Sequence, residues 1–215
     1  MTHTNRQNIG KFWPVPRKGT KYLAVASHNH HSSIPLVVVM RDILGLVKTK
    51  KELQKAINEK KVKINGKEIR EVNYPLGLFD VLSVEKKDYQ ASLSSHKKMI
   101  FNEIKGAKNK IVKIMGKKVL GKDKIQLNLM DGRNVLSKEK SKVGDSVVIG
   151  FDGKVEKVIP MEKGKVGFVT EGKHAGHKGK IENIVERGGK NLAQIIDEDK
   201  NKVNVWVKNV IVMEK

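Results

Sequence analysis

The chain has 215 residues and a formal net charge of +21 at pH 7, because 44 Lys and Arg residues outnumber 23 Asp and Glu residues. It contains no cysteine, which excludes disulfide bonds, thiol catalysis and cysteine-based zinc sites, and no apolar run approaches the ~20 residues of a membrane span. Charge of one sign on this scale repels itself unless a polyanion neutralises it. Nucleic acid is the expected partner, and an anionic membrane surface is the weaker alternative.

The N-terminal segment is basic and has no carboxylate before Asp42. Prolines at 14 and 16 and the polar run 28–33 interrupt any periodic pattern, so residues 1–34 are expected to form an extended arm that orders on a partner surface. No hydrophobic stretch follows its first basic residues, so a secretory signal is not expected. Trp13 lies in this arm, where its ring has two open roles: stacking on a base or sugar, or anchoring the arm on the protein.

Two short helices and a hairpin are predicted next. Apolar residues recur at helical spacing from 36 to 47, and Ser33 is placed to cap the first turn. Thr49 and Glu52 have the spacing of a capping box, which begins a second helix. Asn65-Gly66 is the preferred pair for a two-residue type I′ hairpin turn. These elements predict a compact α+β module that ends near Val84.

The following part of the chain has the pattern of β-strands. Residues 97–124 hold ten lysines and only two acids. Beyond them, apolar and polar residues alternate over 125–129 and again over 147–151, each time with an Asp-Gly turn close behind. This predicts a second, all-β unit whose boundary lies somewhere in 95–110.

A third unit is predicted after a short linker at 160–164. Alternation over 203–207 and several Gly turns indicate a small barrel, with Trp206 facing outward to meet a neighbouring domain or RNA. The Gly-rich loop 172–180 would let backbone approach phosphate, or its glycines serve turn geometry alone. It is not a Walker loop, because no Gly-Lys-Ser/Thr ends it.

No catalytic motif is evident: the chain has no nucleophile elbow, no H-E-x-x-H and no GxGxxG after a strand. A metal site is not expected either, because neither histidine cluster has a carboxylate beside it in sequence. These clusters are His28, His30 and His31 in the arm, and His174 with His177 in the Gly-rich loop.

A series of motifs then runs through almost the whole chain: Trp13, Arg17-Lys18, His28, Ser33–Leu36, Arg41–Leu44, Val62–Lys67, Tyr74–Val81, Lys142–Ser146 and Gly164–Ile181. In this order the motifs closely resemble the S4e family of small-subunit ribosomal proteins of archaea and eukaryotes. The last segment is similar to the family's KOW motif, although positions 174–178 depart from the Asn and Arg that are commoner there. The short stretch after the last unit favours an archaeal member.

The resemblance implies an α+β multidomain fold. Its parts would be a basic N-terminal arm (1–34), a small α-L RNA-binding module with two helices and a hairpin (35–95), a central all-β domain (96–160) and a C-terminal SH3-like KOW barrel (161–215). It implies a non-catalytic constituent of the cytoplasmic small ribosomal subunit, bound to 16S-type ribosomal RNA and neighbouring ribosomal proteins. Neither a cofactor, nor a small-molecule substrate, nor a membrane is implied.

The resemblance also points to RNA-binding positions in the α-L module: Arg41, Lys50, Lys51, Lys63 and Lys67. The complete expected set adds Arg6, Lys11, Trp13, Arg17, Lys18, Lys21, His28, His30, Lys48, Lys55, Lys97, Lys98, Lys173, His174, His177 and Lys178. Two other functions stay open from sequence: a KOW-containing transcription or translation factor, and an RNA-modifying or tRNA-charging enzyme with an α-L appendage.

Overall fold

The computed structural model describes residues 3–121, 124–197 and 201–214. It divides into two compact units, one formed by the chain up to residue 93 with 97–108, the other by 94–96 and the chain from 109 onward. Both are mainly β-structure. The helical segments are α1 (Leu36–Val38), a π-helical turn (Val39–Ile43), α2 (Lys50–Asn58) and two 3-10 turns (Arg6–Asn8 and Val207–Asn209). Among the described helices, none is long and apolar enough to cross a membrane.

The first unit is built on a five-stranded antiparallel sheet. The strands of the whole unit are β1 (His3–Asn5), β2 (Tyr22–Ala24), β3 (Ile34–Pro35), β4 (Val62–Ile64), β5 (Lys67–Glu68), β6 (Pro75–Leu76), β7 (Val81–Val84), β8 (Lys87–Leu93) and β9 (Met99–Ile104). The main sheet has the order β5-β4-β7-β8-β9, and β1-β2 and β3-β6 form two-stranded sheets. The α+β character expected of this region is therefore present.

The first helix differs from its prediction. Ile34 and Pro35 pair with β6 as a short strand, so the helix starts at Leu36 and Ser33 does not cap it. The Ser33 hydroxyl instead donates to the carbonyl of Asn29 at 2.6 Å. Residues 36–40 are all buried, so tertiary packing on every side replaces the one-sided burial that the spacing predicted. The helix widens into a π-turn and ends before Gly45, whose φ is +64°.

The second helix and the hairpin turn are confirmed. The Glu52 amide donates to Thr49 Oγ1 at 3.2 Å, and the Glu52 carboxylate accepts from the amides of Lys48 at 2.7 Å and Thr49 at 3.4 Å. These bonds, that from Lys48 first, lower the pKa of Glu52. Asn65 and Gly66 have φ of +49° and +74°, and two positive φ values in succession are what a type I′ turn requires.

The arm is packed against the first unit over much of its length. Trp13 is 5% exposed and belongs to a core with Leu23, Leu36, Met40 and Leu53. The expectation of an extended arm therefore needs correction for this segment, because burial of a large aromatic ring provides the packing energy that its polar neighbours lack.

The second unit contains two five-stranded antiparallel sheets. Its strands are β10 (Asn109–Gly121), β11 (Lys124–Leu129), β12 (Asn134–Ser137), β13 (Ser146–Gly150), β14 (Val155–Ile159), β15 (Val166–Val169), β16 (Lys178–Arg187), β17 (Lys190–Asp197), β18 (Lys202–Trp206) and β19 (Val210–Met213). The sheet orders are β12-β11-β10-β13-β14 and β18-β17-β16-β15-β19.

The predicted alternation holds on β11 and β18 and fails on β13. Leu127 and Leu129 are buried while Asn128 is exposed, and Val203 and Val205 are buried beneath an outward Trp206. All five residues of β13 are buried instead, so both faces of this strand are covered by packing that the sequence pattern does not show.

A buried polar pair fixes the hairpin of the first unit to the loop before β7. Asn65 Nδ2 donates to Asp80 Oδ1 at 2.6 Å, and Asn65 Oδ1 accepts from the Val81 amide at 3.0 Å. The second Asp80 oxygen accepts from the Gly77 amide at 2.6 Å. Asn65 and Asp80 are 7% and 8% exposed, so a polar group that lost its partner here would have no water to replace the missing hydrogen bond.

We expect Asp80→Ala to lower the free energy of unfolding by ~2–4 kcal/mol, because it leaves the Asn65 amide and the Gly77 N–H buried without their acceptor. Urea denaturation followed by circular dichroism measures the change. Asp88→Ala, on the half-exposed face of β8, is the matched control and should change stability by ~0.5 kcal/mol or less. Equal losses in both variants would contradict a specific role of Asp80.

Candidate nucleic-acid interface

Arg6 holds the arm together rather than presenting its charge. Its guanidinium donates to the carbonyls of Thr20 at 2.7 Å and Pro16 at 2.6 Å and to the Thr20 hydroxyl at 3.0 Å. Gly19 has a φ of +144°, and a Cβ there would lie 2.8 Å from Arg6 Nη2. The absence of a side chain at Gly19 therefore allows the guanidinium to lie across the loop.

The loop closed by Arg6 forms a basic cavity, which we call the arm cavity. Its volume is about 400 Å³, and its described lining contains no carboxylate. The lining residues are Asn5, Arg6, Gln7, Arg17, Lys18, Gly19, Thr20 and Lys21. Cations without anions around one concave surface attract phosphate. The structure thus brings together four of the predicted arm cations, while Lys11 is exposed outside this cavity.

Trp13 and Lys98 join the arm to β9. Lys98 Nζ donates to the Trp13 carbonyl at 2.9 Å, and the Met99 amide donates to the Phe12 carbonyl at 2.8 Å. Because its ring is buried, Trp13 anchors the arm on the protein, which is one of the two roles that the sequence left open. The RNA contact predicted for the Trp13 ring is therefore corrected to a packing role. Lys98 helps to hold the arm, but its side chain is exposed like that of Lys97, so its RNA contact stays a prediction.

His28 and His30 are exposed in the turn that leads from the arm into β3. The His28 ring meets the Tyr74 ring edge to face, with centroids 5.6 Å apart, and its Nδ1 lies 3.1 Å from the Ser27 hydroxyl. The ring is thus oriented by its neighbours while remaining accessible to a partner.

The start of α2 is the most open basic surface among the predicted helical positions. Lys48, Lys50 and Lys51 are exposed. Within the described ranges, neither Lys50 nor Lys51 forms an ion pair, and both lie where the helix dipole is positive. At the opposite end of α2, Lys55 lies 3.9 Å from Glu59, and Lys61 lies 2.8 Å from Glu59.

Arg41 is partly neutralised. Its Nε and Nη2 both lie 2.8 Å from the Asp42 carboxylate, and this hydrogen bonding raises the pKa of Arg41. About a third of its side chain is exposed (36%). A phosphate that approached Arg41 would have to compete with a bidentate carboxylate already in place.

The two hairpin lysines do not share one face. Lys63 pairs across the hairpin with Glu68, and Lys67 pairs with Ile64. Directly paired residues of antiparallel strands point to the same side, and successive residues to opposite sides. Lys63 and Lys67 are both exposed but lie on opposite faces of the hairpin, so they present their charges in different directions.

Several lysines of the basic stretch 97–124 bind groups within the protein. Lys110 is 5% exposed and lies 3.3 Å from Asp131, which also binds Arg133 at 2.9 Å. Burial opposes ionisation of Asp131, but the charges of Lys110 and Arg133 outweigh it and lower the pKa of Asp131. Lys117 Nζ donates to the Ser141 carbonyl at 3.0 Å. Positions 122 and 123 of this stretch lie outside the described residues.

Lys113 is the most unusual of these lysines, because it is 2% exposed. Its Nζ donates to the carbonyls of Val207 and Val210, the latter at 2.6 Å. Burial lowers the pKa of Lys113 to about 8. No periodic pattern signals this arrangement, since Val112, Lys113 and Ile114 are consecutive and all buried.

The Gly-rich loop is a compact turn with a mixed surface. Gly172 and Gly176 have φ of +94° and +92°, and a Cβ on Gly176 would collide with the Ser94 carbonyl. His177 Nδ1 lies 2.5 Å from Asp197, and its ring centroid is 5.9 Å from that of His174. The charges exposed by this segment are Lys173 and, on β16, Lys178 and Lys180. Across the described residues, no group of three His, Asp or Glu side chains is arranged to hold a metal ion.

Sequence reasoning missed a cluster around Trp206. Lys190 Nζ lies 5.9 Å from the Trp206 ring centroid, and both residues border a cavity together with Lys208. The outward direction of Trp206 follows from strand alternation. Lys208 follows Trp206 by two residues in the 3-10 turn, whereas Lys190 carries no sequence signal, because the pairing of β17 with β18 brings it to the ring.

We expect Arg6→Lys to loosen the 16–22 loop although it preserves net charge, because an ammonium cannot replace the fork that spans three acceptors. Hydrogen exchange of the Lys21 and Tyr22 region should rise by about tenfold or more. Arg17→Lys, in the same loop but exposed, is the control and should leave exchange unchanged. Unchanged exchange in Arg6→Lys would contradict the assigned role.

The lowered pKa of Lys113 predicts a pH-dependent contribution to stability. Between about pH 8 and about pH 10.5 the unfolded chain binds more protons at this site than the folded chain, so this residue's contribution to the free energy of unfolding rises with pH. Relative to Lys113→Met, the natural protein should gain stability between pH 7.5 and pH 10, as measured by urea denaturation. Lys118→Met, exposed on the same strand, should show no such trend; the same trend in both variants would contradict the prediction.

Comparison with known proteins agrees with this arrangement along nearly the whole chain. Residues 85–155 match the Ribosomal family S4e, and residues 34–82 match the S4 domain. The small ribosomal subunit protein eS4 of Methanosphaera stadtmanae is 34% identical over 190 residues, covering 85% of this chain and 79% of that protein. The eS4 protein of Halobacterium salinarum is 32% identical over 222 residues, covering 99% of this chain and 95% of its own.

The fold agrees as well. The crystal structure of the 30S ribosomal protein S4e from Thermoplasma acidophilum superimposes with a TM-score of 0.73 at 26% sequence identity, covering 86% of this chain and 96% of that one. The relationship in sequence and the agreement in fold thus lead to the same family that the ordered motifs resemble. The chain belongs to the S4e family of small-subunit ribosomal proteins.

Proposed function

We propose that this chain is a structural, non-catalytic constituent of the small ribosomal subunit and binds its ribosomal RNA by neutralising phosphates at several separate basic surfaces. The observation that carries the proposal is the arm cavity, where four cations surround a concave surface whose described lining has no carboxylate. Lys50 and Lys51 provide a second open surface at the start of α2. The relatives' names, small ribosomal subunit protein eS4, support the assignment.

The division of labour among modules is part of the proposal. We assign the helix pair and hairpin to an α-L module, which the S4 domain match over 34–82 supports. We assign sheet β18-β17-β16-β15-β19, with its Gly-rich loop, to an SH3-like KOW barrel. The four-part division at residues 34, 95 and 160 remains a prediction of the sequence, with neighbouring ribosomal proteins as further partners.

The composition indicates how RNA would be recognised. Only six of the 44 cations are Arg, and Lys acts as a point charge suited to phosphates rather than as a fork for base edges. Binding would therefore depend on the backbone and shape of RNA, with several weak surfaces on one chain reinforcing one another through effective concentration. The residues proposed to contact RNA directly are Lys11, Arg17, Lys18, Lys21, His28, His30, Lys48, Lys50, Lys51, Lys63, Lys97, Lys173 and Lys178.

A salt titration of the full-length protein with a small-subunit ribosomal RNA fragment tests the proposal. Each phosphate contact should contribute about 0.7–0.9 to the slope of log affinity against log salt. Lys50→Gln with Lys51→Gln should therefore reduce the slope by about 1.4–1.8 and weaken binding at low salt.

The matched control removes two positive charges that already have partners. Lys60 lies 3.3 Å from Glu68, and Lys61 lies 2.8 Å from Glu59. Lys60→Gln with Lys61→Gln changes net charge equally and should alter the slope less than the α2 pair does. Equal changes would show that net charge alone matters, and a wild-type slope near zero would overturn phosphate binding altogether.

A further inference from the structure

A second cavity lies in the second unit, and we call it the Trp206 cavity. Its volume is about 330 Å³, and the residues that line it come from four separate parts of the chain. They are Lys113, Ile114 and Met115; Val143 and Gly144; Lys190 and Asn191; and Trp206, Val207 and Lys208. This volume is at the lower end of the ~300–1,000 Å³ typical of small-ligand sites, so it suits one compact group.

The walls of this cavity expose more apolar surface than the fold requires. Trp206 is 38% exposed, Met115 51% and Val143 57%. Single exposed apolar residues are ordinary, but three large ones around one concavity indicate a contact site. The β18–β17 pairing fixes Trp206 opposite Leu192, so the ring has a defined place on the sheet.

The polar part of the lining is positive. Lys190 and Lys208 are exposed, and Lys190 Nζ lies 5.9 Å from the indole centroid. The described lining contains no carboxylate. The preferred ligand therefore combines a flat unsaturated ring with an anionic group at a short distance from it. A peptide of Asp and Glu residues supplies the anion but no flat ring, whereas a nucleotide supplies both.

The base of the cavity is held rigidly. Lys113 is buried and donates to the carbonyls of Val207 and Val210, which follow Trp206 in the chain. These two bonds fix the backbone on which Trp206 and Lys208 are mounted. The backbone that presents the indole is thus positioned before any ligand arrives, which reduces the ordering cost of binding.

We propose that the Trp206 cavity binds one unpaired nucleotide of RNA, with its base stacked on the indole of Trp206 and its phosphate held by Lys190 and Lys208. The inference rests on the proposed function as an RNA-binding protein. It adds a site for a single unstacked base to the phosphate-binding surfaces of the arm and of α2. Paired RNA cannot use this site, because its bases are already stacked within the helix.

Fluorine NMR of the full-length protein labelled with 5-fluorotryptophan tests the site directly. The chain has two tryptophans, so two resonances are expected, and Trp206→Phe assigns them by removing one. Single-stranded hexauridylate and hexaadenylate should shift the Trp206 resonance saturably and leave that of the buried Trp13 in place. Trp206→Leu should weaken binding of these oligonucleotides by about tenfold, and Trp206→Phe by less, because phenylalanine retains a stacking face.

Matched variants separate this site from general attraction. Lys190→Gln with Lys208→Gln should weaken the response of the Trp206 resonance several-fold. Lys202 lies on β18 like Trp206, but its Nζ is 2.9 Å from Glu182, so Lys202→Gln should leave the response of the Trp206 resonance unchanged. An equal shift with an RNA duplex or with hexaglutamate would overturn the proposal. The proposal would also be overturned if the Trp206 resonance did not shift while fluorescence anisotropy showed salt-dependent RNA binding. That result would contradict the nucleotide site but not the proposed function as an RNA-binding protein.

Discussion

Hydrogen bonds from cationic side chains to main-chain carbonyls connect distant parts of this protein. The chain has 44 cations and 23 carboxylates, so 44 − 23 = 21 cations cannot have a carboxylate of their own. Arg6, Lys98 and Lys113 donate to carbonyls of residues 10, 85 and 94 or more positions away in the chain. A carbonyl satisfies the donor without a matching negative charge, so the protein stays strongly positive while some of its cations are used in folding.

This use of charge changes how the basic surface is understood. A lysine in a basic stretch is ordinarily assumed to face solvent or a polyanion, but Lys110 and Lys113 are buried in the second unit. Lys117 is exposed and still donates to the Ser141 carbonyl. Cations without an internal acceptor, such as Lys50 and Lys51 among the described residues, remain accessible to a phosphate group. Cations that are bonded internally and cations that remain accessible thus occur along the same stretches of sequence.

The same interaction creates the two cavities. In the arm, Arg6 spans the loop 16–20 and leaves three further cations around the concavity. In the second unit, Lys113 fixes the backbone after β18 and so presents the indole of Trp206. In each case a cation that is itself bonded internally positions others that remain accessible. Both cavities therefore depend on rigid supports, which is what a recognition site requires.

Local sequence determined the features that short-range physics controls. The Thr49–Glu52 capping box, the Asn65-Gly66 turn, the alternation around Leu127 and the outward Trp206 were all predictable, since each depends on residues a few positions apart. The ordered motifs likewise identified the family. Charge and composition were enough to indicate a polyanionic partner.

Tertiary structure decided which side chains are free to use their charge. Trp13, Arg6 and Lys98 look like RNA-facing residues in the sequence, yet their acceptors and packing partners lie elsewhere in the chain. Ser33 lost its capping role because Ile34 and Pro35 pair with a strand some forty residues away. Long-range pairing and burial have no periodic signature in a sequence. The sequence therefore determines how much positive charge the protein carries, and only the fold determines which cations are bonded internally and which remain accessible to a partner.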